Sequence, residues 1–268
     1  MKKIIILFVF ILFTNIVKSQ CFTENTTFLS DEKISYKVAY NWGFIWVDAG
    51  KVVFEVDSLK KDGKQLYHFL SFGKSLTRYD WIFKVRDNFE SFVNPIEFKP
   101  IEFIRNTKEN SYRVYNKYLF DHTNNKIFSF IENSNKQYQE DTLNLPPFTF
   151  DVLSAIYYTR NIDFSKYKFG DKIPISMIID NEIFNLYIRY INKEIVENID
   201  GKLYNCIKLK SMLVAGTMFS EGEDLIVWIT DDKNKIPIMA EAKILVGSVK
   251  AYLTQVEGLR YKIEALLE

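Results

Sequence analysis

The chain contains 268 residues with a formal net charge of +1, and 47% of its residues are hydrophobic and 16% aromatic. A charge this close to zero argues against a nucleic-acid partner, which would require a basic face. The apolar content is sufficient for a large core, and the length fits one large β domain or two smaller ones.

Residues 1–19 have the features of a secretory signal peptide. Two lysines precede the apolar stretch Ile4–Phe13, which is too short for a membrane span, and Ser19 fits the small-residue rule for cleavage before Gln20. No later segment is apolar over the roughly 18 residues that a transmembrane helix needs. We therefore expect an exported protein of the periplasm, free there or associated with the outer membrane. Its mature chain, residues 20–268, is predicted to form a single β-rich domain.

The two cysteines, Cys21 and Cys206, would both remain after cleavage, in a compartment where disulfides persist. A Cys21–Cys206 disulfide would join the N-terminal arm to a late strand. One alternative is two unpaired thiols, with Cys206 buried in its strand. The other is lipidation of Cys21, which Gln20 disfavours because a lipidation site normally has a small residue before the cysteine.

Alternation of apolar and polar residues predicts β-strands over most of the mature chain. Asp62-Gly63 and Asp200-Gly201 have the composition of two-residue hairpin turns. Roughly fourteen to sixteen strands joined by short turns require antiparallel pairing. The predicted strands lie at 34–42, 52–56, 66–72, 79–87, 89–93, 101–105, 112–120, 127–131, 173–179, 184–190, 203–209, 225–229, 236–246 and 249–256.

The stretch 145–160 contains the one helix that the sequence predicts in the mature chain. Thr149 or Asp151 can cap its first turn, and its apolar character on nearly every side indicates a buried helix. Four residues recur at helical spacing, namely Leu153, Ile156, Tyr157 and Arg160. Because so large a sheet must curl, close or split, the predicted fold is mainly β. It is a large antiparallel curved sheet or partial barrel wrapped around a single buried helix at about 148–160.

Five blocks resemble one protein family in the same order along the chain, namely 30–36 followed by Ala49-Gly50, 83–92, 120–122, 145–158 and 227–237. They are similar to blocks of the DUF3108 family of exported bacterial proteins. In the first block the family usually has Gly-Glu where this chain has Asp31-Glu32. The resemblance implies export and a mostly β fold, and no established activity. On architecture alone, the predicted fold also resembles periplasmic lipoprotein carriers, which have an open barrel with a helix inside.

Residues for metal binding or nucleophilic catalysis are sparse. The two histidines, His68 and His122, have no second His or Cys at ligand spacing, so we predict a packed strand residue and a turn residue and expect no metal site. The chain has no Gly-x-Ser-x-Gly elbow and no glycine-rich phosphate loop. The strand context of Cys206 argues against thiol catalysis. We therefore expect a protein that is not an enzyme and has no cofactor.

Carboxylates are the remaining catalytic option. Asp231-Asp232, or Asp87 with Glu90, would have to pair across a cavity for acid–base chemistry. The structural interpretations are a hairpin turn at Asp231-Asp232 and an Arg86–Asp87 ion pair at a strand end. If Arg86 instead lines a cavity, its guanidinium would clamp a ligand carboxylate or phosphate.

Aromatic residues are the more informative candidates for a binding site. They either fill the core or, in a half-open barrel, line a pocket for an apolar ligand. With Arg86 or Tyr157 orienting a polar head, the sequence favours an envelope protein that binds or carries a hydrophobic or lipid-like ligand in a β-barrel-like cavity. The alternative is an envelope scaffold or protein-interaction module with a filled core and a protein partner. The candidate pocket aromatics are Tyr40, Trp42, Trp81 and Phe83.

Overall fold

The computed structural model describes residues 24–42, 45–213, 222–244 and 247–267. Cys21 and the predicted signal peptide lie outside the described residues. The described part of the chain forms a 15-stranded sheet and one α-helix. The elements are β1 Lys33–Trp42, β2 Ile45–Lys61, β3 Lys64–Ser75, β4 Val85–Val93, β5 Pro100–Glu109, β6 Tyr112–Asp121, β7 Lys126–Asn133, β8 Lys136–Asn144, β9 Thr149–Phe150, α1 Val152–Arg160, β10 Lys172–Ile179, β11 Glu182–Glu197, β12 Leu203–Leu213, β13 Gly222–Thr230, β14 Pro237–Lys243 and β15 Ser248–Glu257.

The strands follow one another around the sheet in two runs that meet where β1 pairs with β15. The order is β8 to β1, then β15 to β9, so β8 and β9 are the unpaired ends. The predicted mainly β, curved architecture is confirmed, and the structure shows that the sheet is open. The prediction of wholly antiparallel pairing is wrong at one place, because β9 is parallel to β10. The helical connection through α1 brings the chain back in the same direction, as parallel strands require.

The sheet curls around α1. The helix contacts β3 and β4 in one run and β9 and β10 in the other. Tyr157 stacks on Phe69 of β3 at 4.0 Å between ring centroids, and Ser91 of β4 donates a hydrogen bond of 2.7 Å to Asp151. We call the face of the sheet that carries Phe69 and Ser91 the inner face. Since side chains alternate along a strand, the other members of the inner face follow from the pairing register.

The helix begins later than the sequence predicts. Asp151 is the N-cap, and its carboxylate accepts hydrogen bonds from the backbone nitrogens of Leu153 at 2.9 Å and Ser154 at 3.0 Å. Thr149, the other predicted cap, lies in β9 and pairs with Ser176. Six of the nine helical residues are buried. The helix therefore fills the interior at its end of the sheet, as its apolar composition predicts.

A buried ion pair holds the C-terminal end of α1. Arg160 donates to both carboxylate oxygens of Glu32, at 2.5 and 2.8 Å, and its Nε and Nη2 donate to the carbonyl oxygen of Asn234. The preceding residue, Asp31, has a φ of 71°. This left-handed conformation favours glycine, which is the residue that the resembled family usually has there.

The two ends of the sheet overlap without pairing. Ile173 and Ile175 of β10 pack in the cluster around α1, whereas Ile178, on the opposite face of β10, packs with Phe103 and Tyr118 from the inner face of β5 and β6. The end of the second run therefore lies inside the end of the first. Side chains rather than strand pairing close the structure at this overlap.

Candidate ligand-binding site on the inner face

The strand predicted at 79–87 forms only from Val85, where β4 begins, and residues 79–84 lie in the segment between β3 and β4. Asp80 accepts hydrogen bonds from Ser75 at 2.5 Å and from Arg86 at 2.6 and 3.2 Å, which closes a turn between the two strands. Trp81 is 82% exposed and Phe83 is 42% exposed in this turn. Both predicted pocket aromatics therefore lie outside the interior. The apolar alternation at 79–85 resembles a strand, but Asp80 interrupts it with a turn.

Arg86 and Asp87 do not form the predicted ion pair. They are consecutive residues of the regular strand β4, so their side chains project from opposite faces. Arg86 lies on the outer face and binds Asp80, and this bond lowers the pKa of Asp80. Arg86 therefore holds the β3–β4 turn. Asp87 lies on the inner face, four residues before Ser91.

The remaining predicted pocket residues lie at different levels of the interior. Tyr157 is 1% exposed, and its hydroxyl has no hydrogen-bond partner among the described residues. Tyr40 is half-buried on the inner face, opposite Val249 and near the far end of β1. Trp42 is the last residue of β1. The structure thus places Tyr40 and Tyr157 inside the curve of the sheet but at opposite ends of it.

A group of polar side chains occupies the inner face of β4 to β6. Arg105 of β5 donates to Asp180 in the β10–β11 turn at 2.9 Å, and Asn116 of β6 donates to the same carboxylate at 3.1 Å. Asp87 lies opposite Gly73 and Thr107 on the same face. We call Asp87, Arg105, Asn116 and Asp180 the inner polar cluster. It links the inner face of the first run to the β10–β11 turn of the second.

Two buried atoms of this cluster lack hydrogen-bond partners within the described chain, namely Oδ1 of Asp87 and Nε of Arg105. Desolvation raises the pKa of Asp87 to about 6, with a further increase from Glu109 and an opposing effect of Arg105. An acceptor and a donor without partners, on one face and within electrostatic reach of each other, are suited to a polar group of a ligand.

The inner face beyond the helix is apolar but not sealed. Around α1, Phe28 and Phe69 are 0% exposed and Tyr157 is 1% exposed. Toward the other end of the strands, inner-face side chains are half-buried, and Gly73 has no side chain to fill the space between Val52 and Asp87. We call this part the open half. Its half-buried apolar residues include Val38, Val52, Ala240 and Ala251. At its border, five more pack against the cluster around α1, namely Phe54, Phe89, Met177, Phe184 and Val227.

The other chemical candidates have structural partners. His68 lies 2.9 Å from Glu90 and stacks on Phe92, and His122 contacts the carbonyl of Pro100. Asp232 accepts hydrogen bonds from Thr230 and from the backbone of its own turn, as predicted for a turn aspartate.

The described residues include no group of three or more potential metal ligands. Cys206 is fully buried, and burial raises the pKa of its thiol to about 12. The predicted disulfide stays a prediction, because Cys21 lies outside the described residues. No helix in the described ranges is long and apolar enough to cross a membrane.

Comparisons with known proteins agree with this architecture. The profile of the family described as "Protein of unknown function (DUF3108)" matches residues 35–254. A solved structure titled as a β-barrel-like protein of the domain of unknown function DUF1849, from Brucella abortus, is similar with a TM-score of 0.56 and 9% sequence identity, over 86% of this chain and 98% of the other. At this identity the likeness concerns the fold alone. None of the curated proteins matches the chain.

Proposed function

The chain belongs to the DUF3108 family of proteins of unknown function, and from the inner face of its sheet we propose that it is an exported, non-catalytic protein that binds a hydrophobic or lipid-like ligand. One observation carries the proposal. Apolar inner-face side chains remain half-buried in the open half, whereas Phe28, Phe69 and Tyr157 beside α1 are almost fully buried. An apolar surface that water still reaches, inside a curved sheet, gains free energy when an apolar ligand covers it.

The apolar part of the ligand would lie against the open half. Each Å² of apolar surface that it removes from water contributes about 25 cal/mol, so an acyl chain would contribute most of the affinity. The small residues Gly73, Ala240 and Ala251 limit how far the wall projects into this space. The aromatic cluster of Phe28, Phe69 and Tyr157 forms its floor.

The inner polar cluster would orient the head of the ligand. Oδ1 of Asp87 accepts hydrogen bonds and Nε of Arg105 donates them, and neither has a partner within the described chain. A hydroxyl or amide group fits both atoms, because it donates to one and accepts from the other. Bonds to such buried groups favour a ligand with this head over an all-hydrocarbon one.

A pair of neighbouring residues provides the test. Val52 faces the open half, and Val53, next in β2, lies on the outer face opposite Phe72. We expect Val52→Trp to lower the affinity for the apolar fluorophore N-phenylnaphthylamine about tenfold or more, because the indole occupies the binding space. Val53→Trp adds the same side chain outside and should leave the affinity unchanged. Fluorescence titration measures both.

Native mass spectrometry of protein purified from a host with membranes gives an independent readout. A bound mass that organic extraction removes, and that Val52→Trp abolishes, is the expected result. The proposal fails if the protein carries no ligand and binds neither the fluorophore nor extracted lipids. It also fails if both tryptophan variants bind equally well. The interaction module with a filled core would then be the better hypothesis, and crosslinking would search for its protein partner.

A further inference from the structure

A cluster of exposed apolar side chains lies at the end of the sheet opposite the helix. Trp81 is 82% exposed, Ile82 53% and Phe83 42%, all in the β3–β4 turn. Ile45 and Trp46, at the start of β2, are 67% and 37% exposed. The backbone nitrogen of Leu76 donates to the carbonyl of Ala49, which joins the two segments. We call Ile45, Trp46, Trp81, Ile82 and Phe83 the aromatic rim.

The exposure of the rim is built into the fold. The backbone nitrogens of Ile82 and Phe83 donate to the carbonyl of Tyr79, at 2.9 and 3.0 Å. Arg86 and Ser75 hold Asp80 in the same turn. The fold therefore presents these side chains outward in a fixed arrangement. A preorganised apolar surface loses little conformational entropy when a partner covers it.

The surface beside the rim is basic. The outer face of β1 to β4 has a shallow depression of about 730 Å³, lined by Lys33, Lys37, Lys51, Lys74 and Arg86 among others. Glu55, Asp48 and Asp80 pair with Lys33, Lys37 and Arg86. Within the described chain, no carboxylate lies in ion-pair distance of the remaining cations around the rim, which are Lys51, Lys74, Arg78 and Lys84.

We propose that the aromatic rim docks onto a lipid surface that carries anionic headgroups. Trp and Phe on a surface turn place apolar rings at the depth of the headgroups, where the amphipathic indole is most stable. The unpaired lysines and Arg78 face the headgroup phosphates and attract them. Neither feature depends on a bound ligand. If the protein also binds a lipid as proposed above, docking at this end places the open half against the membrane.

Vesicle flotation tests the docking directly. We expect the full mature chain to float with vesicles of phosphatidylcholine and phosphatidylglycerol in equal parts. Trp81→Glu should lower the partition coefficient about tenfold or more, because it removes a large apolar side chain from the interface. Ile96→Glu is the matched control, since Ile96 is 83% exposed in the β4–β5 turn at the opposite end. It should bind as the wild type does.

Two further experiments measure separately the contribution of the lysines and the depth to which the indole enters the lipid. Lys74→Gln with Lys84→Gln should weaken binding to the anionic vesicles by about fivefold per lysine and leave binding to pure phosphatidylcholine unchanged. Brominated lipids should quench the tryptophan fluorescence of the wild type. In Trp81→Phe, binding should persist while the quenching falls to the part that comes from Trp46, because the more exposed indole of Trp81 is gone.

Three outcomes would overturn the proposal. The first is a wild type that stays out of the vesicle fraction. The second is an equal loss of binding in Ile96→Glu and Trp81→Glu. The third is self-association that Trp81→Glu abolishes, measured by analytical ultracentrifugation without lipid. That result would identify the rim as an interface between two copies of this chain. All three can be obtained even when the inner face binds no ligand, so they do not depend on the proposed function.

Discussion

Asp87 and Arg86 illustrate how much one position in a strand decides. The two residues are neighbours in sequence and carry opposite charges, yet they lie on opposite faces of β4. Arg86 stabilises a surface turn through Asp80. Asp87 faces the interior with one carboxylate oxygen that has no partner in the described chain. The ion pair that their adjacency suggests is excluded by the pleat of the strand.

The raised pKa of Asp87 makes a pH-dependent prediction. Its pKa in the folded protein is about 6, above the value of about 4 in an unfolded chain. Ionisation therefore opposes folding, and this cost grows as the pH rises from about 4 to about 6 and then stays constant. We expect Asp87→Asn to raise the free energy of unfolding by about 1 kcal/mol at neutral pH, after allowing for partial solvent screening.

Urea unfolding at several pH values measures this effect. At a pH below about 4 the gain from Asp87→Asn should vanish, because the carboxyl is then protonated in both states. Asp57→Asn provides the control, since Asp57 is exposed on the outer face of β2. It makes the same substitution at a solvent-exposed position. A gain in Asp87→Asn that is equal at all pH values would contradict the assignment.

At the scale of elements, α1 has two structural roles, and its amino-acid composition does not distinguish them. Its aromatic residues fill one end of the curved sheet. Arg160, at its last position, joins the helix to Glu32, just before β1, and to the Asn234 turn through buried hydrogen bonds. The sequence pattern places Arg160 on the same helix face as Ile156 and Tyr157. That pattern is equally compatible with a solvent-exposed arginine at the C-terminal end of the helix. Only the approach of Glu32 from the other end of the chain explains its burial.

The Arg160–Glu32 pair predicts a non-additive response. Removing one partner leaves a buried charge without compensation, so Arg160→Met should lower the free energy of unfolding by about 3 kcal/mol or more. Combining it with Glu32→Leu should cost less than the sum of the single changes. Lys33→Met removes one side of the exposed Lys33–Glu55 pair and should change the stability by less than about 1 kcal/mol. Denaturant unfolding of the four variants measures these differences, and additive losses would contradict the coupling.

At the scale of the whole molecule, the overlap of the two sheet ends replaces barrel closure. An open sheet exposes edge groups that invite further pairing. Here, at one end, Ile178 of β10, the strand next to β9, packs against the inner face of β5 and β6. The other end, β8, consists almost entirely of exposed residues, and its charged side chains disfavour pairing with another chain.

The overlap makes a stability prediction. Ile178 of β10 is 2% exposed and packs against the inner face of β5 and β6. Ile178→Ala should therefore lower the free energy of unfolding by about 2–4 kcal/mol, because it leaves a cavity in this contact. Ile199→Ala removes the same atoms from a side chain that is 47% exposed and should have little effect. Similar losses in the two variants, measured by denaturant unfolding, would show that the overlap does not hold the sheet ends together.

The local structure of the chain follows from the amino-acid sequence alone at most positions. Alternation identified most strands, Asp62-Gly63 and Asp200-Gly201 lie between β2 and β3 and between β11 and β12, and the helix lies within the predicted stretch. These features depend on neighbouring residues, whose spacing sets the apolar face and the turn conformation. The same alternation wrongly predicts a strand before Val85. There Asp80 accepts hydrogen bonds from Ser75 and Arg86, and the chain forms a turn.

Which residues meet in the interior depends on the tertiary structure. Arg105 was no candidate in the sequence, although it is a charged residue in the inner row of β5, between Phe103 and Thr107. Its position opposite Phe89 and beside Asp180 depends on the register of three strands and on the overlap of the sheet ends. The alternating spacing of Trp81 and Phe83 is typical of core residues in a strand, yet both side chains are exposed in a turn. Composition and spacing act over a few residues, whereas the inner face is assembled from residues nearly a hundred positions apart.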